Sequence, residues 1–129
     1  MSINVLIVDD SETVRAIIAK TIRRAEIPIN ELHNAANGQE ALDVLRNKWV
    51  DLVLTDINMP VMTGVELIEQ MKKEDNLKGI PVVVVSTEGS ATRVADLKMK
   101  GVRAYIRKPF TPEQFREICT EVLGPANEE

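Results

Sequence analysis

The chain of 129 residues contains one cysteine and one histidine. A lone Cys119 cannot close an internal disulfide, and with Phe115, Ile118 and Val122 it falls on one apolar helical face, as a small core residue does. With His33 as the only histidine, the usual zinc clusters cannot be assembled. Aromatic residues make up 3% of the chain and the formal net charge is -4. No basic run or aromatic-basic interleaving occurs, so nucleic acid is not an expected partner. No stretch approaches the roughly 18 apolar residues of a membrane span, and "MSINVLIVDD" has no charged leader ahead of an apolar segment. A cytoplasmic protein without a membrane partner is the expectation.

The length suits one domain with a real core, and the content of 44% hydrophobic and 28% charged residues is ordinary for a globular protein. Short apolar runs rich in β-branched residues occur at Asn4–Val8, Asp51–Thr55 and Pro81–Val85, with shorter ones near Glu31–Ala36 and Arg103–Ile106. Between them lie residues at helical spacing: Val14, Ile17, Ile18 and Ile22; Ala41, Leu42 and Leu45; Val65, Leu67, Ile68 and Met71; Val94, Leu97 and Lys98. Asn37, Ser90 and Thr111-Pro112-Glu113 stand where helices should begin. Five strands alternating with five helices predict an α/β fold, a parallel sheet covered on both faces. Trp49, just before the third strand, is expected to pack, and His33 to lie on the edge strand.

The unusual polar residues fall at the carboxyl ends of these strands. Asp9 and Asp10 follow the first, Asp56 the third, Ser86 and Thr87 the fourth, and Lys108 the fifth. In an open parallel sheet that edge is where ligands bind, which puts the carboxylates at the rim rather than inside. Two like charges about 4 Å apart at an effective dielectric near 20 repel by roughly 4 kcal/mol. At about 1.36 kcal/mol per pKa unit, that holds one carboxyl protonated unless a cation intervenes. Three acids against one lysine favour a divalent ion, and all-oxygen ligands select Mg²⁺, Mn²⁺ or Ca²⁺. Each residue also has a plainer role. Asp9 and Asp10 could cap the first helix, Asp56 could be a turn acid, and Lys108 a solvated lysine.

Taken together, "LIVDDS", "LTDINMPVMTGVEL", "PVVVVSTE" and "YIRKPF", in this order and spacing, resemble the receiver domain of two-component response regulators, nearest to the stand-alone CheY-like members. The resemblance implies a flavodoxin-like fold with strand order 2-1-3-4-5, a receiver domain over 1–125 and a short tail over 126–129 without an output domain. It implies a signalling protein rather than an enzyme with a separate substrate. Asp56 would accept a phosphoryl group from a sensor histidine kinase. Asp10, Asp56 and the backbone carbonyl of Asn58 would hold Mg²⁺, with Mn²⁺ as a substitute and Asp9 acting mostly through a bound water. Lys108 and Ser86 would contact the phosphoryl group, Ser86 rather than Thr87 because it follows the apolar run directly. Tyr105 would turn from exposed to buried, Asn58 and Glu88 would tune the phosphoryl lifetime, and Lys108-Pro109 would be cis.

The resemblance further implies a monomer that switches the surface of its fourth helix, fifth strand and fifth helix to bind a target, here a flagellar motor switch, with a phosphatase as a further partner. Relay of the group to a histidine phosphotransfer protein, an unphosphorylated scaffold, and excision from a longer regulator are the alternatives, although the start at Met1 and the acidic end suit a complete product. A haloacid-dehalogenase-like phosphatase fits less well, because its acids are not adjacent. A flavodoxin-like cofactor carrier would need glycine and hydroxyls where "DDSETV" is acidic. Ile57, Gly89, Arg93, Lys98 and Lys100 depart from the enterobacterial CheY pattern, and they leave the partner more open than the chemistry.

Overall fold

The computed structural model of the protein describes residues 2–87 and 90–124. Ten elements alternate: β1 (Ile3–Val8), α1 (Glu12–Arg24), β2 (Ile29–Ala35), α2 (Gly38–Asn47), β3 (Leu52–Thr55), α3 (Gly64–Lys72), β4 (Val82–Ser86), α4 (Ala91–Met99), β5 (Ala104–Arg107) and α5 (Pro112–Leu123). The strands form one parallel sheet in the order β2-β1-β3-β4-β5. The predicted strands are all present, displaced by one or two residues, and β4 extends far enough to include Ser86.

Strand alternation explains the near-continuous apolar runs. Val5, Ile7, Leu52, Leu54, Val83 and Val85 point to one face, where they pack with Ile18 and Ile22 of α1 and Phe115 of α5. Leu6, Val8, Val53, Val82 and Val84 point to the other, against Leu42 of α2, Leu67 and Met71 of α3, and Leu97 of α4. A sheet covered on both faces has no polar side to display, so the central strands lose the apolar-polar alternation of a half-exposed strand. Cys119 packs against the first of these cores, and burial pushes its thiol up to about 11.

Each helix start is set by a side chain that accepts an otherwise unpaired backbone N–H. Ser11, Asn37, Thr63, Ser90 and Thr111 cap α1 to α5 in turn. Thr63 with Glu66 and Thr111 with Gln114 form reciprocal capping boxes. Ser11, not Asp9 or Asp10, caps α1, so the two acids are released from the plainer role that the sequence allowed.

Two residues differ from expectation. Trp49 is 78% exposed, and its indole N–H donates to Asp51 Oδ1 at 3.3 Å. It lies in the loop before β3, and among the described residues no helix or strand buries it. Lys98, placed with the apolar face of α4, is exposed, and Leu97 is the residue of α4 that is buried.

Phe115 is fully buried and meets Phe110 edge-on, with ring centroids 5.0 Å apart at 88°. It therefore ties α5 both to the sheet and to the loop that follows Lys108. Phe115→Ala should lower stability by about 3–5 kcal/mol through cavity formation. Urea unfolding should show a lower midpoint with an unchanged slope, and a midpoint matching the parent would remove Phe115 from the core account.

Candidate functional site

The strand order brings the acids together. β1 has β2 on one side and β3 on the other, so its carboxyl end is the switch point where side chains from adjoining loops converge. Val8 pairs with Thr55, and the ladder continues one step beyond: Asp56 N–H donates to Val8 O at 3.0 Å, and Asp9 N–H to Ala35 O at 3.1 Å. Asp9 and Asp56 thus leave neighbouring strands at the same level. Asp9, Asp10 and Asp56 each offer a carboxylate oxygen within 4.8 Å of the others.

The three carboxylates are not equivalent. Asp9 is 2% exposed, Asp56 is half-buried and Asp10 is exposed. Burial of Asp9 corrects the expectation that both N-terminal acids sit at the rim. It is possible because each oxygen is satisfied: Oδ1 accepts from Ser11 N–H at 2.9 Å and Oδ2 from Lys108 Nζ at 3.1 Å. The same ammonium lies 3.5 Å from Asp56 Oδ2, while Asp56 Oδ1 accepts from Ile57 N–H at 2.7 Å. Lys108 therefore bridges two acids and sits closer to the buried one.

Asp56 carries the electrostatic imbalance. Desolvation by burial pushes its carboxyl above the ordinary range, and repulsion from Asp9 adds to this. The Ile57 N–H, Lys108 and a hydrogen bond from Ser86 oppose the shift without cancelling it. Ser86 is 1% exposed and its hydroxyl faces Asp56, whereas Thr87 is exposed. One shared lysine against three carboxylates, with oxygen donors throughout, fits a hard divalent cation such as Mg²⁺.

The loop after β3 is pinned on two sides. Gly64 N–H donates to Ile57 O at 2.8 Å, and a Cβ at Gly64 would collide with the carbonyl oxygen of Asp56. Gly38 N–H donates to Met62 O at 3.0 Å, and a Cβ there would meet Met62 Cγ at 2.6 Å. Between them Val61 has φ +68°, closed by Met62 N–H to Pro60 O at 2.7 Å. A β-branched residue in the left-handed region is strained, so the flanking contacts must hold it there. They fix the segment that carries Asp56 and Asn58.

Tyr105 is half-buried against the α2–α4 core, and its hydroxyl is covered and unbonded. The resemblance implied an exposed ring that turns inward; here the hydroxyl is already inward. The Lys108–Pro109 peptide bond is cis. Glu88 lies outside the described residues. His33 is on edge strand β2, its Nε2 3.1 Å from Glu31 Oε1 and away from the acids. One contact had not been anticipated: Arg15 Nη1 donates to Asp9 O at 2.6 Å. Its signal was present, since Arg15 stands one helical turn beyond the cap Ser11.

Residues 5–120 match the response regulator receiver domain family. A chemotaxis protein CheY homolog of Campylobacter jejuni is 39% identical over 125 residues, covering 96% of this chain and 95% of that protein. The solved structure of Vibrio cholerae chemotaxis protein CheY4 is 32% identical with a TM-score of 0.83, covering 95% and 99% of the two chains. A receiver domain of a Pseudomonas aeruginosa sensor histidine kinase, described with magnesium in its active-site cleft, is 18% identical with a TM-score of 0.83 over 97% and 100%, a likeness of fold.

The raised Asp56 carboxyl makes a prediction about stability in EDTA. Between its ordinary and its raised pKa the folded state binds more protons than the unfolded one, so stability falls as pH rises through that window. Asp56→Asn should therefore stabilise the metal-free protein at neutral pH, by about 1 kcal/mol for a partly solvated repulsion. The gain should shrink as pH approaches about 4. Urea midpoints at both pH values give the comparison, and a destabilised variant at neutral pH would mean that the Lys108 contact outweighs the repulsion.

Proposed function

The chain belongs to the response regulator receiver domain family, and on that premise we propose that it is a phosphorylation-controlled signalling switch with Asp56 as the acceptor. The observation that carries this reading is the carboxylate of Asp56, half-buried between Asp9, Lys108 and Ser86 at the end of β3. Its oxygen attacks the phosphorus of a phosphohistidine on a sensor kinase. The P–N bond breaks, the imidazole leaves, and an acyl phosphate remains on Asp56.

The roles of the chain's own groups follow from their placement. Ile57 N–H fixes the orientation of the Asp56 carboxylate. Lys108 needs only a small shift from Asp56 Oδ2 to meet a phosphoryl oxygen, and Ser86 donates from the end of the adjacent strand β4. Asp10, Asp56 and the Asn58 carbonyl would hold Mg²⁺, with Asp9 behind them; when bound, the ion offsets charge on the transferring group. Mn²⁺ would substitute. Asn58, exposed two residues after Asp56, stands where it can govern access of water to the acyl phosphate, and Glu88 would share that task.

The CheY relatives, which are chemotaxis proteins, support a role in chemotaxis; a flagellar motor switch would then be the target and a phosphatase would end the signal. The output surface would be α4, β5 and α5, where Lys98, Met99 and Arg107 are exposed. We read the protein as a cytoplasmic monomer; among the described residues no helix is long and apolar enough to cross a membrane.

Incubation with acetyl phosphate and Mg²⁺, followed by intact mass, should show gain of one phosphoryl group. The gain should require Mg²⁺ and be absent in Asp56→Ala. No adduct in the parent, and no response to a beryllofluoride mimic, would sink the acceptor reading. Mg²⁺ binding should be followed by calorimetry, because Trp49 lies at the opposite end of β3 from Asp56 and cannot report on the site.

Lys108→Ala should still accept the group but lose the phosphorylation-dependent change at β5 and α4. Amide shifts around Tyr105 with and without phosphodonor would show this. Parent-like shifts in the variant would mean that Lys108 does not couple the site to the surface.

A further inference from the structure

A cleft of about 440 Å³ runs between α1 and the edge strand β2, lined by Glu12, Arg15, Ala16, Ala19, Arg23, Leu32 and Asn34. Its chemistry is opposite in sign to the acidic site beside it and to the chain as a whole. Two guanidinium groups line it against one carboxylate, in a protein of formal net charge -4. Among the described residues no ion pair engages Arg15 or Arg23. Arg15 spends one N–H on the Asp9 carbonyl, which leaves most of its donor fork for another acceptor.

The cleft exists because the sequence is small where a long side chain would close it. Ala16 and Ala19 lie on the side of α1 that faces β2, and Leu32 closes the floor. Arg15 and Arg23 are eight residues apart, about 12 Å along the helix axis, and approach the cleft from its two ends. Asn34 on β2 adds an amide donor across from them. A second cleft, around Trp49, differs: Arg46 is paired there with Glu74 at 2.6 Å, and Asp51 accepts from Asn4 N–H and the Trp49 indole.

We propose that the cleft between α1 and β2 binds a small phosphorylated anion, gripped by Arg15 and Arg23. Guanidinium groups match phosphate oxygens with paired N–H donors, the Asn34 amide supplies a further donor, and the floor of Leu32, Ala16 and Ala19 accommodates an apolar portion of the ligand. The volume lies within the range of small-molecule sites. This binding does not depend on Asp56 or on a metal.

Calorimetry with inorganic pyrophosphate, in EDTA and low salt, tests the proposal on the full chain. Saturable one-site binding is expected, weakening as salt rises. Amide shifts should centre on Ala16, Ala19, Leu32 and Asn34. Arg15→Ala and Arg23→Ala should each weaken binding about tenfold, with urea midpoints confirming folded variants and Arg23→Lys recovering part of the loss. Absence of saturable binding overturns the proposal, as does equal affinity in the double variant or a shift map centred on Lys108. Binding of hexaglutamate or a short RNA without binding of pyrophosphate would identify a macromolecular partner and also refute it.

Discussion

The ammonium of Lys108 is the constraint on which the acidic edge of this protein depends. Asp9 is almost fully buried as a carboxylate, and removing one partner of such a pair leaves an uncompensated charge that costs several kcal/mol. Lys108 and the Ser11 N–H are what make that burial tolerable. Yet Lys108 lies within reach of Asp56 as well, so one cation answers to two acids. The unfinished compensation falls on Asp56, the less buried of the two, and pushes its carboxyl upward. A site arranged in this way gains from any added positive charge and from any chemistry that consumes the Asp56 carboxylate.

The rest of the structure sets that geometry. Lys108 arrives from the end of β5, two strands away from β3 and three from β1, so its position depends on the whole sheet order. Phe110 and Phe115 secure the loop behind it from the α5 side. On the other side, the β3–α3 loop is clamped by Gly38 and Gly64, and Val61 is left in a backbone region that a β-branched residue rarely adopts. The strain sits five residues from Asp56, in a segment where small displacements would move Asn58 against Asp56. Strain retained at such a place is held by the surrounding contacts, not by local preference.

Much of this was legible in the sequence. The central strands announce themselves because a doubly covered strand has no polar face, and Asn37, Ser90 and Thr111 mark helix starts by the same backbone demand that the structure shows. The acids and lysine could be placed at one edge because parallel strands put all their carboxyl ends together. What was not legible depends on contacts between distant segments. Both Asp9 and Asp10 were expected at the rim, and the reach of Lys108 across the sheet, with the Ser11 N–H, is what lets Asp9 be buried while Asp10 stays exposed. Trp49 looked like a packing residue, but among the described residues nothing buries it in the loop before β3. Arg15 looked like an ordinary helix arginine, and its bond to the Asp9 carbonyl needs the angle at which α1 leaves β1.

A local change at Asp56 has a short route to the neighbouring strands β4 and β5. The Tyr105 hydroxyl on β5 is covered and unbonded in this state, and a buried hydroxyl without a partner costs about 1–3 kcal/mol. Val84, its registered neighbour on β4, stands two residues before Ser86. Ser86 is engaged with Asp56 here, and a phosphoryl group on Asp56 would compete for that hydroxyl and for Lys108 together. The unmodified state therefore keeps one polar group unsatisfied on β5 and two others committed to the Asp56 carboxylate, which the proposed phosphorylation would convert. A two-state element needs only a few kcal/mol between its arrangements to be biased by one ligand. Adjacent strands that hold a committed donor and an uncommitted one supply a difference of that order.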